Sequence, residues 1–429
     1  MKEIKIGLIG AGVIGSGVIA LLKKNRELIK KRSGCLLTLK SICDLQIKKK
    51  NWLTDSEFKL TTDYRQILND PEIEIVIELI GGTTAALDVI LGALKAQKHI
   101  VTANKAALSM YYSRIFKTAC EHKREVYFEG AIGGGIPIIK VLREGLVGNS
   151  IKSIHCIING TCNFILSKMN KLGMSFSDAL ADAQRLGFAE ANPDLDINGY
   201  DAAHKTALLA MLAFNTDIDI RKVYTEGINS LQAIDLAHAR ELGYTVKLLG
   251  IAKNHGSKME VRVNPCLIPE HSSLGSVENE YNAVLINSDF LGTSLYYGKG
   301  AGSYPTASAI ASDLTDIAKD IRLKEFNKYK YMPFNAKDLM TAGESAAKYY
   351  IRINTIERPG IFSSITAVFA RYKISLEKVI QKDFDNLKNI PIMFVTRTCS
   401  EKSMTGALGE ISRFPFVKGK PVFLRIEEL

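Results

Sequence analysis

The hexapeptide Gly10-Ala11-Gly12-Val13-Ile14-Gly15 constrains this chain more than any other feature. It fits G-x-G-x-x-G, follows an apolar run at residues 4–9 and opens a segment with helical spacing at residues 13–28. In a strand-turn-helix setting the first glycine permits a tight turn. The second lets a pyrophosphate approach the backbone, and the third lets helix and strand pack closely. The N-terminus of the helix then offers N–H donors to phosphate oxygens. The alternative is a glycine-rich turn with no ligand, and the pattern of the next hundred residues argues against it. Residues 36–43, 73–80, 99–102 and 125–128 are strand-like, while 84–97 and 106–122 have helical spacing. Such alternation implies a parallel sheet with helices on both faces. The expected fold class is therefore α/β, opening with a Rossmann-type doubly wound sheet over residues 1–130 that binds NAD or NADP.

Two features bear on which nicotinamide is held. Asp44 follows the second strand and suits the ribose hydroxyls of NAD, whereas Lys48, Lys49 and Lys50 just beyond it suit the 2′-phosphate of NADP. The separation of Asp44 from the loop also exceeds the usual spacing of about twenty residues. Both cofactors stay open, with a slight lean to NAD.

At 429 residues the chain exceeds what one hydrophobic core supports, so further domains are expected. Past Gly130 come a loop with Gly133, Gly134 and Gly135, a helix at 137–146 and a strand at 153–158. Long helical stretches come next, then strand-like runs between 248 and 297, including 259–263 and 283–287, and a helix at 306–323. This grouping predicts an α+β substrate and dimerisation domain over 131–323. The basic, uneven stretch 324–348 reads as a linker. Residues 349–429 have strand, helix, strand, strand, helix, strand order and are expected to fold by themselves as a ferredoxin-like unit.

No run approaches the roughly 18 apolar residues of a membrane span, and the first residues lack the pattern of a secretory signal. The seven cysteines include no C-x-x-C pair, as suits reduced thiols in a cytoplasmic protein. The net charge of +11 is spread along the chain, which fits a solvated lysine-rich surface better than a nucleic-acid interface.

Candidate chemistry concentrates at Asn104-Lys105 and between Gly187 and Lys205. Asp201 and Lys205 stand four apart, on one face of a helix expected to begin near Asn198. One reading makes Asn198 an N-cap and the Asp201–Lys205 pair an exposed salt bridge. The other assigns chemistry. Oxidising an alcohol needs a group to take the hydroxyl proton as hydride leaves, and a lysine does this once its pKa is depressed from about 10.4. An acid must also hold a substrate ammonium, a task suited to Glu190 and Asp201, with Asp196 in the same stretch.

The ordered segments resemble homoserine dehydrogenases over essentially the whole chain. Besides the glycine loop, the matching pieces are Thr102-Ala103-Asn104-Lys105-Ala106, Glu129-Gly130-Ala131-Ile132-Gly133-Gly134-Gly135-Ile136-Pro137-Ile138, Asn159-Gly160-Thr161-Cys162-Asn163-Phe164-Ile165-Leu166, residues 190–205, and Gly300-Ala301-Gly302 with Pro305-Thr306-Ala307-Ser308. The resemblance implies interconversion of homoserine and aspartate semialdehyde. It implies that Lys205 exchanges the proton at the substrate oxygen, that Lys105 lies where cofactor and substrate meet, and that Glu190 and Asp201 hold the amino group. It further implies cofactor contacts at Val13, Thr83, Gly187 and Gly302, and a monovalent cation, commonly sodium, at Glu129, Ile132, Gly134 and Ile136. For that last loop the alternative is a tight glycine turn with Glu129 in an ion pair.

Two departures stand out. Asn192 replaces an acid that many relatives carry, and Cys43 stands where NADP-preferring relatives often have arginine. The tail resembles an ACT domain, with Glu357-Arg358-Pro359-Gly360-Ile361-Phe362 joining its first strand and helix. That implies either control by threonine or a related amino acid, or a dimerisation element without ligand. A homodimer or homotetramer is expected. A sensor that had lost catalysis would be marked by absence of Lys205 or Glu190, and both are present. A dehydrogenase for another small amino acid should lack the Asp201 and Lys205 pair with Glu190 upstream.

Overall fold

The computed structural model describes residues 2–50, 52–53, 58–325, 337–381 and 390–429. The chain has a mixed α/β fold with an N-terminal parallel sheet, and it divides into two compact units, each assembled from separated stretches. The first takes in residues 1–154, 204–222 and 281–337, and the second 155–203, 223–280 and 338–429. Packing thus divides the chain differently from the boundaries expected at 130, 323 and 349. Among the described residues no helix is long and apolar enough to cross a membrane.

The first unit is built on six strands: β1 (Lys2–Ile9), β2 (Cys35–Cys43), β3 (Lys59–Thr61), β4 (Ile73–Glu78), β5 (His99–Thr102) and β6 (Val126–Tyr127). All pairings are parallel, in the order β3-β2-β1-β4-β5-β6. That is the order of a doubly wound dinucleotide-binding sheet, whose ligand crevice lies beyond the carboxyl ends of the strands where the order reverses, here between β1 and β4. The expected strands are all present, and the three-residue β3 is an addition.

Apolar runs such as Ile4, Ile6 and Leu8 are wholly buried because helices cover the sheet. One cover is the helix Ser303–Leu323, whose Ala307, Ile310, Leu314, Ile317 and Ile321 share a core with β1 and with Val18 and Leu22 of the helix Val13–Lys24. This helix, expected to belong to the middle domain, therefore completes the first unit. The helix expected at 137–146 is a short α-turn, Ile138–Lys140, continued by a π-helical turn, Val141–Gly145.

In the second unit the long strands Tyr244–His255 and Lys258–Pro269 form an antiparallel hairpin. Apart from a two-residue strand, Cys399–Ser400, the C-terminal stretch shows the expected order: strand Ala346–Thr355, helix Ile361–Arg371, strands Leu376–Gln381 and Ile390–Thr396, helix Glu401–Ile411, strand Val422–Ile426. Its last strand lies beside its first, with the third and then the second beyond, all antiparallel. The two helices cover this sheet, burying Ile365, Phe369, Met404 and Leu408 with Ile351 and Phe394. The tail is not set apart, however. Val422–Ile426 pairs in parallel with Lys258–Pro269, matching Cys266 to Arg425 and Leu267 to Ile426.

The expected linker also needs correction. Residues 326–336 lie outside the described residues, but Asp338–Leu339 is a strand paired with Lys258 and Met259. Thr341 and Glu344 then form a capping box before the strand that begins at Ala346.

Candidate active site

The glycine loop turns at the carboxyl end of β1. Gly10 has φ 100°, and a Cβ there would lie 2.6 Å from the Leu79 carbonyl oxygen; one on Gly15 would lie 2.3 Å from that of Gly10. Both positions require glycine for packing. Gly12 differs: a Cβ on it would meet nothing within 4 Å, so its backbone borders open space, as an approaching pyrophosphate needs. The helix Val13–Lys24 has no side-chain cap and no acid in its first turn, leaving its positive end to an anion. Val13 is exposed and Ile14 partly so. Gly302, with φ 117°, caps the helix Ser303–Leu323 and is drawn to the loop by a 2.7 Å bond from the Ser303 hydroxyl to the Val13 carbonyl.

Asp44 does more than the sequence suggested. Its Oδ2 accepts the Ala11 N–H at 2.9 Å and its Oδ1 accepts the Gln46 N–H at 2.8 Å, so it braces the glycine loop directly. Lys50 Nζ stands 3.4 Å from Oδ2. Lys48 and Lys49 are exposed on a 3-10 turn, Ile47–Lys49. A carboxylate has about four acceptor sites, so these bonds leave capacity for a ribose hydroxyl.

Thr83 opens the helix Thr84–Lys95 beyond the carboxyl end of β4. Close by, Glu78 and Thr102 end β4 and β5 as register partners. The Thr102 hydroxyl donates to Glu78 Oε2, while the Ile80 N–H donates to Oε1 at 2.8 Å. Burial pushes the Glu78 carboxyl up to about 7, although the Thr102 and Ile80 bonds act in the opposite sense. Thr102 Oγ1 in turn accepts the Asn104 N–H at 3.0 Å. The Asn104 amide donates to the carbonyls of Ile80 at 3.0 Å and Gly82 at 2.8 Å, and its oxygen caps the helix Lys105–Glu121 through Ala107. Lys105 is the first residue of that helix and half-buried.

The helix Tyr200–Phe214 carries Asp201 and Lys205 one turn apart, each only 8% exposed. An exposed surface salt bridge is thereby excluded. Asn198 ends the preceding turn Asp194–Ile197 rather than capping this helix, because the chain first reverses through Gly199 at φ 83°. Asp201 Oδ2 accepts the Asn159 amide at 2.9 Å, and the same amide donates to Asp196 Oδ1 at 2.7 Å. Thr161 adds a hydroxyl bond to Asp196 Oδ2 at 3.2 Å. Asn159 itself caps the helix Gly160–Leu172 through the Cys162 N–H.

One side-chain amide thus orients two of the three candidate substrate acids. Asn159 opens one of the sequence motifs, but residue type and spacing alone gave it no role. Glu190 and Gly187 lie on the exposed loop before Asp194–Ile197, Gly187 with φ 77°, while the Asn192 side chain accepts the Asp194 N–H. His204, which precedes Lys205, has its Nδ1 2.6 Å from the hydroxyl of Ser109, one turn into the helix that Lys105 begins.

In the candidate cation loop, Glu129 is buried and its carboxylate accepts the N–H groups of Ile139 at 2.8 Å and Lys140 at 2.9 Å. Its own N–H donates to Asp313 Oδ2 at 2.9 Å. Burial raises the pKa of both acids, that of Asp313 further through the nearby Glu129 charge. Gly133 and Gly134 turn the loop with φ 67° and 49°, and Ile132 and Ile136 are buried. Among the described residues there is no cluster of three or more His, Cys, Asp or Glu side chains suited to a metal.

Residues 10–129 match the family model described as the NAD-binding domain of homoserine dehydrogenase, and residues 137–315 match the one described as homoserine dehydrogenase. The homoserine dehydrogenase of Neisseria gonorrhoeae is 40% identical over 100% of both chains. That of Bacillus subtilis is 38% identical over 100% of this chain and 99% of its own. The crystal structure of a homoserine dehydrogenase from Thiobacillus denitrificans superposes with a TM-score of 0.94 at 39% identity, covering 100% of this chain and 99% of that one.

Proposed function

The chain belongs to the homoserine dehydrogenase family, and from that premise we propose that Lys205 moves the proton of the reaction while Asp201, Asp196 and Glu190 hold the substrate ammonium. The protein is an NAD(P)-dependent oxidoreductase that interconverts L-homoserine and L-aspartate 4-semialdehyde. When bound, the oxidised nicotinamide supplies the hydride acceptor. The loop from Gly10 to Gly15 receives the pyrophosphate, with Val13, Thr83, Gly187 and Gly302 as further contacts and Asp44 at the ribose. Lys205 takes the hydroxyl proton in oxidation and returns it to the carbonyl oxygen in reduction. Lys105 stabilises charge where cofactor and substrate meet.

The observation that carries this assignment is the burial of Asp201 and Lys205 on one helix, with Asp201 oriented by Asn159. Surface pairs need neither burial nor an orienting amide. Membership of the homoserine dehydrogenase family supports a sodium-like monovalent cation at Glu129, Ile132, Gly134 and Ile136. Main-chain oxygens of that loop would hold it, a carbonyl having a second lone pair beyond an N–H bond such as those accepted at Glu129 and Ile136. The order of strands and helices after Ala346 supports an ACT-type module, serving either as a site for threonine or a related amino acid or as a dimerisation element without ligand. We further propose a cytoplasmic homodimer or homotetramer.

Initial rates with aspartate semialdehyde, run with NADH and NADPH and with or without threonine, test this reading. Reduced nicotinamide should be consumed with at least one cofactor. No consumption with either removes the proposed roles.

A further inference from the structure

Glu78 is a buried acid that the reaction does not call for. Ending a strand of Ile73, Ile75, Val76 and Ile77, it is 0% exposed, in surroundings that disfavour charge. Its two oxygens are nevertheless used in a directed way. One accepts the Ile80 N–H and the other the Thr102 hydroxyl, whose oxygen accepts the Asn104 N–H. Asn104 then ties down the Ile80 and Gly82 carbonyls and caps the helix that Lys105 begins. Every bond in this chain leads from Glu78 to the turn carrying Lys105, at the carboxyl edge of the sheet where a doubly wound fold holds its ligand.

We propose that Glu78 is a positioning residue for Lys105, fixing through Thr102 and Asn104 the turn from which that lysine acts. The inference rests on the assignment of Lys105 above. The ionised carboxyl, present above about 7, suits the task because it accepts at both oxygens. A glutamine keeps one acceptor but presents N–H groups where the Thr102 hydroxyl must donate, leaving a buried hydroxyl unsatisfied.

The test is a double-mutant cycle on the full chain, with dinucleotide binding measured by fluorescence beside steady-state rates. Glu78→Gln should lower kcat by roughly ten- to a hundredfold, as small misplacements of catalytic groups do, with cofactor Kd changed less than about twofold. In a Lys105→Ala background the same substitution should cost nothing further, because residues acting as a unit are non-additive. Thr102→Val should reproduce the loss and Thr102→Ser should restore most of it, which decides the matter even if Glu78→Gln fails to fold. Full additivity with Lys105→Ala, or a Thr102→Val enzyme of wild-type speed, overturns the inference. A Lys105→Ala enzyme of wild-type speed overturns the assignment of Lys105 and with it the positioning role.

Discussion

Burial holds the Glu78 carboxyl near 7 against an ordinary value of 4.5, so between those values the folded chain keeps a proton that the unfolded chain has released. Stability from this group is fully present below about 4.5 and lost as pH rises through about 7. Glu78→Gln cannot titrate, so melting temperatures recorded across that interval should fall less steeply for the variant than for the parent. Equal slopes would show that the carboxyl is not held protonated. Nothing in the sequence marked Glu78, because an acid ending an apolar run looks like the last solvated residue of a strand. Its burial comes from register pairing with Thr102, 24 positions away. Asp44 was legible as an acid after the second strand, but its bond to the Ala11 N–H was not, since it depends on how closely two strand ends approach.

At the level of elements, periodicity and glycine placement located the expected strands of the N-terminal sheet to within a few residues, whereas the helix expected at 13–28 is two, Val13–Lys24 and Arg26–Ser33. Among the described residues of that sheet, the strand missed was too short to show: β3 has three residues, too few for alternation to register. The helix expected to begin near Asn198 begins at Tyr200, but Asn198 does not cap it, because Gly199 reverses the chain first. Spacing also gives no sign of how helices are tied together. The helix begun by Lys105 is joined to the chain around Lys205 by the Ser109–His204 bond and by one from Ser113 to Asp217.

A buried hydrogen bond contributes about 0.5–1.5 kcal/mol net. Ser109→Ala should therefore lower the unfolding free energy by about 1 kcal/mol in urea titrations. Combined with His204→Ala it should cost less than the sum of the two single changes. Strict additivity would mean that the 2.6 Å contact contributes nothing.

For the whole molecule, ordered motifs identified the family, because their residue types answer to chemistry that any such enzyme must perform. They did not reveal how the chain divides. The helix Ser303–Leu323 returns to cover the first sheet, and Val422–Ile426 pairs with a strand whose matched residues, such as Cys266 for Arg425, lie far earlier in sequence. Such pairings rest on contacts that no local window contains.

The proposed mechanism rests on the amine of Lys205, buried one turn from Asp201, as the carrier of the proton. Lys205→Ala removes that amine, and kcat for homoserine oxidation, measured beside the dissociation constant for the dinucleotide, reads the consequence. Turnover should fall by about 10²–10⁴, the usual contribution of general acid–base catalysis, while the dissociation constant stays near its parent value. A Lys205→Ala enzyme that turns over at the parent rate would show that the proton travels by another group.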